Sequence, residues 1–249
     1  MPELAAELVR LNVDVIVSPT TPASLAAKRA TSTIPIVMTA VADAVGAGLV
    51  TNLRRPGGNI TGLIGLSAEL GGKRMSLLKE LVPKASRIAV LLNPADRSNV
   101  LMLLQMQAAA PALGLTLQTL EVRQPGEFEG AFAAITREGM DAMYGSAGVL
   151  TFDNRQALVD LAAKDRIPAM WGHRQFVDVG GLMSYAVNYY DQCRDAATYV
   201  KQILNGANPG DLPVQQPTTF ELILNLKTAQ TLGLAVPQLI LASANEVIE

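Results

Sequence analysis

One feature constrains the fold of this chain more than any other: short, continuously apolar runs alternate with longer stretches of helical periodicity from end to end. Residues 13–19, 34–41, 59–66, 87–93, 115–122, 141–146, 167–172, 180–186 and 220–226 are each of strand length. Continuous rather than alternating apolarity is the pattern of strands buried on both faces, as in parallel sheets covered by helices. Between them lie helical stripes: Leu77, Leu78, Leu81 and Val82; Leu101, Leu104, Ala108 and Leu113; Ala157, Leu158, Leu161 and Ala162; Ala196, Ala197, Val200, Ile203 and Leu204. Pro111 ends or kinks the second of these helices, and Asn205-Gly206 terminates the fourth. Such alternation implies right-handed βα crossovers and a doubly wound α/β fold.

Bulk properties narrow the function. The chain has 249 residues, 49% of them hydrophobic, enough for one large or two small domains. Its formal net charge is −2, with no long run of either sign, which argues against nucleic acid or an anionic membrane as the main partner. Aromatic residues make up 4%, too few for a single-strand stacking platform. No apolar run approaches the roughly 18 residues needed to span a bilayer. Residues 1–12 are amphipathic and acidic, without the basic start and cleavage site of a signal peptide. Cys193 is the sole cysteine, so neither an intrachain disulfide nor a cysteine-pair metal site can form, and its helix suits a buried small hydrophobe. His173 is the sole histidine and reads as surface or satisfied core. There is no G-x-G-x-x-G after a strand, no phosphate-binding G-x-x-x-x-G-K-[ST] and no G-x-S-x-G. Neither a catalytic residue nor a cofactor is expected.

Open α/β sheets bind ligands beyond the carboxyl ends of their strands. Ser18, Thr20 and Thr21 follow the first strand and open a helix, whose free N–H groups and dipole favour a carboxylate. Thr21-Pro22 also reads as an ordinary helix cap. Thr39 and then Asp43 follow the second strand, with Asp43 able to meet a ligand ammonium or to cap a short helix. Asn93, Ser98 and Asn99 follow the strand at 87–93, where a capped turn is the competing reading. Ser146 and Asp153 follow the next parallel strand, and Asp153 suits an ammonium partner or a helix cap. Trp171 and Tyr185 end strands and could wall a ligand or pack in the core.

The stretch ADAVGAGLVTNLRRPGGNITGL (42–63) joins an acid after a strand, a small helix built on Gly46 and Gly48, a Pro56-Gly57-Gly58 turn and a strand opening at Asn59. With RIAVLLNP (87–94), GGLMSYAV (180–187) and DLPVQQPTTFELILNLKTAQTLGL (211–234), it resembles the substrate-binding proteins of a bacterial ABC transporter family, in order and over nearly the whole chain. The resemblance implies a two-lobed type I periplasmic-binding-protein fold, with doubly wound parallel sheets carrying helices on both faces. It places residues 1–63 and 187–208 in an N-terminal lobe, and 64–186 and 209–249 in a C-terminal lobe with a hinge-proximal segment. It implies a binding protein rather than an enzyme. The expected solute is a small molecule, an amino acid or related carboxylate, held in an interlobe cleft by hinge closure and delivered to a membrane permease in the periplasm or cell envelope. It favours Thr39, since the matching strand end lines the cleft in type I binding proteins. Relatives usually follow the acid at position 43 with proline, where this chain has Ala44.

Relatives also begin with an export signal, a strand, a helix and a second strand, whereas Met1 falls within what resembles the second helix. The expectation is a first lobe lacking its first strand, less stable than a complete one, or a homodimer that covers the exposed sheet edge. Two further readings share the fold: the ligand-sensing domain of a transcriptional regulator, and an enzyme on a doubly wound sheet with strongly perturbed titratable groups in its cleft.

Overall fold

The apolar runs become strands, each somewhat shorter than its sequence pattern. The computed structural model describes residues 1–65 and 70–249; Leu66, the expected end of the third strand, lies outside the described residues. Two units are distinguished, Met1–Leu66 with Val187–Thr219 and Ser67–Ala186 with Phe220–Glu249. Unit 1 opens with α1 (Pro2–Arg10), β1 (Ile16–Ser18), α2 (Thr21–Ala30), β2 (Ile36–Val41) and β3 (Ile60–Ile64). Unit 2 then runs through α3 (Gly71–Leu81), β4 (Arg87–Leu92), α4 (Arg97–Ala109), β5 (Thr116–Glu121), α5 (Phe128–Arg137) and β6 (Ala142–Gly145). It continues with α6 (Val149–Asp153), α7 (Arg155–Lys164), β7 (Ala169–Trp171), α8 (Arg174–Asp178) and β8 (Met183–Ala186). The chain returns to unit 1 for α9 (Tyr189–Leu204) and ends in unit 2 with β9 (Glu221–Asn225), α10 (Leu226–Thr231), α11 (Gln238–Ser243) and β10 (Glu246–Ile248).

Among the described residues, unit 1 has a parallel three-stranded sheet of order β1-β2-β3. Ile16, Ile36, Met38, Ile60 and Ile64 bury one face with Ala27 of α2. Val37 and Leu63 bury the other against Ala196, Tyr199 and Ile203 of α9. Val37 and Met38 are neighbours in β2 yet serve opposite clusters, which is why the strand reads as continuously apolar. Residues 209–219, grouped from the sequence with the second lobe, belong to unit 1. The Ile64 amide donates to the Gln215 carbonyl and the Gln215 amide to that of Gly62, both at 3.0 Å. Tyr199 Oη donates to the Pro213 carbonyl at 2.6 Å.

Unit 2 carries a seven-stranded sheet of order β10-β9-β8-β7-β6-β4-β5. Ile88, Val90 and Leu92 of β4 face a core with Met75, Leu78 and Leu81 of α3, while Ala89 and Leu91 face Phe128, Phe132 and Ile135 of α5. All neighbours are parallel except β8 and β9. The β9 strand enters from the excursion through unit 1 instead of over a crossover helix, so nothing forces it parallel. β10 has no counterpart among the expected strands. Its three residues are half-buried at the sheet edge and too few for a periodic signal.

Some helical detail departs from the sequence reading. In α4 the buried positions are Asn99, Met102 and Met106, and Leu104 is exposed. The leucine-rich sequence carries apolar residues around the helix, and contact with α3 selects the methionine face. Cys193 is exposed rather than buried, because α9 turns Gln192, Ala196, Tyr199 and Ile203 inward. The small helix expected at Gly46 and Gly48 is a run of turns, ended by the left-handed Gly48 at φ +69°.

At φ +127°, Gly62 permits β3 to approach β2 closely; a Cβ there would overlap the Met38 carbonyl oxygen. Gly62→Ala is expected to cost about 3 kcal/mol or more by combining backbone strain with overpacking. Gly126→Ala, whose Cβ meets nothing within 4 Å, should stay within about 0.5 kcal/mol. Urea titrations of both variants check this, and equal midpoints would refute the close approach.

Candidate functional site

The strand ends of each unit form a separate polar mouth. In unit 1, β1 ends at Ser18 and α2 begins three residues later. Thr20 is the N-cap of α2, its side chain accepting the Ala23 amide at 3.3 Å. The Ser24 amide donates to the Thr20 carbonyl, and Pro22 has no N–H. The Thr21 amide is therefore the first-turn donor the helix does not use. Ser24 Oγ donates to the Thr20 carbonyl at 2.9 Å, so the 2.7 Å contact between the two serine hydroxyls must be donated by Ser18. Ser18, 2% exposed, thus spends its proton internally and is unsuited as a carboxylate donor. Thr20 and Thr21 accept through oxygen, Thr21 from the Ala42 amide at 3.4 Å, and each keeps its own proton to donate. Thr39, expected after the second strand, is instead buried within β2, two residues before its end at Val41. Asp43 accepts the Gly46 amide at 2.7 Å, so it caps the turn that replaced the expected helix.

In unit 2, β4, β6, β7 and β8 run parallel and end together. Asp96 caps α4, accepting the Ser98 amide at 2.9 Å and the Ser98 hydroxyl at 2.6 Å. Buried Asn99 donates through Nδ2 to the Asn93 carbonyl, and Asn93 Oδ1 accepts the Ala95 amide. Beside them, Thr151 Oγ1 donates to the Ser146 carbonyl at 2.7 Å. A Cβ on Gly148 would lie 3.2 Å from Asp96 Oδ2 and 3.4 Å from Asn99 Nδ2. The fold therefore brings Asn93, Ser98, Asn99 and Ser146 into one cluster, with Ser98 committed to the cap. Asp153 stands apart, exposed at the last position of α6. It does not cap α7, whose N-cap is Asn154.

Trp171 is fully buried, stacked on Phe176 with ring centroids 4.6 Å apart. Its ring lies over Gly145, where any Cβ would overlap it. It is core, on the face of the sheet that carries α5, α7 and α8. Tyr185 is half-buried, 6.0 Å from the Phe220 ring, and its carbonyl accepts Arg74 Nε at 2.8 Å.

Arg74 and Tyr144 enter this mouth without having been singled out in the sequence, and His173, read there as surface or satisfied core, joins them. Arg74 reaches from α3 to the ends of β7 and β8, donating also to the Gly172 carbonyl at 3.5 Å, with its guanidinium 5.5 Å from the Tyr144 ring centroid. Burial lowers the Arg74 pKa, and the two tyrosines beside it oppose that shift. Burial raises the Tyr144 pKa, partly offset by Arg74. The Ala147 amide stabilises the phenolate, but the Tyr144 hydroxyl has no well-formed hydrogen bond. The signal for Arg74 lay in spacing: it precedes Leu77 and Leu78 by three and four residues, a charge on the apolar stripe. His173 retains some exposed surface, yet its imidazole is enclosed, edge-on to Phe152 at 5.8 Å. Enclosure, assisted by the Arg74 charge, holds its pKa at about 4. Among the described residues, no group of three or more His, Cys, Asp or Glu is placed to hold a metal. Nor is any helix among them long and apolar enough to cross a membrane.

Residues 3–248 match the family model for ABC transporter substrate binding proteins. A tyrosine-binding protein of Clostridioides difficile (strain R20291) is 28% identical over 232 residues, covering 93% of this chain and 66% of that relative. The chain thus spans just under two thirds of the relative's length. Among solved structures, a conserved domain protein of Vibrio cholerae is 32% identical with a TM-score of 0.89, covering 99% of this chain and 84% of that one. An ABC domain from Streptococcus pneumoniae in complex with L-Trp is 28% identical with a TM-score of 0.91, covering 99% and 83%.

His173 makes stability depend on acid. The unfolded chain takes up a proton on this ring near pH 6.5, and the folded chain only near 4. Protonation therefore favours unfolding: the contribution is complete above about pH 6.5 and is lost as pH falls toward 4. The loss reaches at most about 3.4 kcal/mol, at 1.36 kcal/mol per unit. His173→Gln, which cannot titrate, should flatten this limb in urea titrations between pH 4 and 7. An unchanged slope would show that the ring is solvated.

Proposed function

The chain belongs to the family of ABC transporter substrate-binding proteins, and from that premise we propose that it binds a small amino acid, aromatic in its side chain, for delivery to a membrane permease on the outer side of the cytoplasmic membrane. The family is one of solute-binding proteins rather than enzymes. The observation that carries the reading is the opening of α2. The Thr21 amide and the Thr20 and Thr21 hydroxyls are donors left over after the helix has capped itself, and together they suit a carboxylate at a helix N-terminus. The relatives add the solute class, since one is named for tyrosine and another holds L-Trp. Asp43 lies just beyond the end of the neighbouring strand β2, and Thr39 within it. Uptake needs no bond-making: a solute that binds one conformation better than another shifts the population toward it.

Burial, and after it the charge of Arg74, account for the lowered pKa of His173.

Thermal melts with L-tyrosine, L-tryptophan, L-phenylalanine and non-aromatic amino acids test the proposal. A cognate solute at a hundred times its dissociation constant should add about 2.7 kcal/mol. Thr21→Val should weaken that solute about tenfold, equivalent to roughly 1.4 kcal/mol, with little change in the melting temperature of the free protein. A melt unmoved by every amino acid, or a Thr21→Val variant of undiminished affinity, would reject the reading.

A further inference from the structure

The first helix of unit 1 leaves an apolar face uncovered. α1 packs against α2, and Ala5 is its buried residue. Leu4, Leu8 and Leu11 leave a different side, and they are 61%, 36% and 66% exposed. Their spacing, four residues and then three, is that of a coiled-coil seam. At 3.6 residues per turn the three fall within about 60° of one another. A single exposed leucine is ordinary, but three in one seam on a nine-residue helix form a patch of the kind that marks a contact surface. The strand that follows, β1, is the outermost of its sheet, and its Val17 is 52% exposed. Unit 1 therefore offers, in consecutive elements, an unpartnered helix face and an open strand edge.

Charge indicates the occupant. Glu3, Glu7 and Arg10 line one flank of the seam, and all three are exposed. None of them forms an ion pair among the described residues. A two-fold axis that lays α1 antiparallel to α1 of a second copy brings the same flank of each helix together in reverse order. Arg10 of each copy then falls between Glu3 and Glu7 of the other, while Leu4 meets Leu11 and Leu8 meets Leu8. An apolar seam flanked by opposite charges in this order is self-complementary. An anionic membrane would instead meet two carboxylates beside the seam and be repelled.

We propose that α1 is a dimerisation face occupied by a second copy of this chain, packed antiparallel about a two-fold axis through the Leu4, Leu8 and Leu11 seam and through Arg10 pairing with Glu3 and Glu7. A helix of nine residues is about 14 Å long. The seam is correspondingly short, and the dimer exchanges with monomer in the micromolar range.

Sedimentation equilibrium across that range tests it, on the wild type, Leu4→Gln/Leu11→Gln, Arg10→Glu and Glu3→Lys/Glu7→Lys, with a thermal melt of each. The wild type should be a mixture of monomer and dimer. The leucine variant should raise the dissociation constant at least about tenfold. It should melt close to the wild type at concentrations where both are monomeric, since both side chains are more than half exposed. Each charge variant alone should dissociate as well, because its flank repels its own copy. An equimolar mixture of the two charge variants should associate, because their flanks carry opposite charge. A wild type that stays monomeric throughout assigns the leucines to another occupant and overturns the proposal, as does a dimer that the leucine variant leaves intact. A mixture that fails to associate overturns the antiparallel arrangement. Should the leucine variant melt several degrees lower, the charge variants and their mixture decide by the same outcomes.

Discussion

Burial on both faces of parallel strands is the constraint from which the rest of this structure follows. In β4, alternate residues serve opposite cores: Ile88, Val90 and Leu92 one, Ala89 and Leu91 the other. A slip of one residue would exchange the two rows and place alanine where the helices require large side chains. Registers are therefore set by packing, and strand ends arrive at defined positions. The polar groups at those ends inherit their precision from apolar residues below them. Gly62 and Gly145 show how tight the arrangement is, since a methyl group at either would overlap a neighbouring strand or the Trp171 ring.

A fold of this kind carries function at its strand mouths, and hydroxyl groups there divide by where their protons go. Ser18 gives its proton to Ser24, and Ser98 gives its proton to Asp96. Thr20 and Thr21 accept from amides instead and remain donors. Residue type alone does not separate these cases, because serine and threonine have the same hydrogen-bonding capacity. The direction of each bond does, and it depends on which backbone groups the local turn has already satisfied.

Arg74 gives the mouth of unit 2 its electrostatic character. It lies in the apolar stripe of α3, held by backbone carbonyls and lying over an aromatic ring. Its charge contributes to holding His173 neutral well below the usual histidine range. A buried charge of this kind carries a desolvation cost, so what it contacts is fixed more narrowly than at a surface position. The membership of the chain in the ABC transporter substrate-binding family and its type I binding-protein fold give this mouth its context.

The sequence by itself determined the α/β class, the nine strands it expected and the family, because continuous apolar runs and helical stripes are local patterns that burial on two faces imposes residue by residue. It also located Ser18, Thr20 and Thr21 at the opening of a helix, and Asn93, Asn99 and Ser146 at strand ends, since chain order alone places loops after strands. Only the tertiary structure decided the rest. Trp171 turned into the core because Gly145 on the neighbouring strand leaves room for its ring. Leu104 turned outward and Met102 inward because α3 packs on one side of α4. Cys193 became exposed and Asp153 lost its capping role because helix phase and helix ends depend on contacts distant in sequence. The grouping of Arg74, Tyr144 and His173 joins residues up to 99 positions apart, and only the parallel register of β6, β7 and β8 brings them to one end of the sheet.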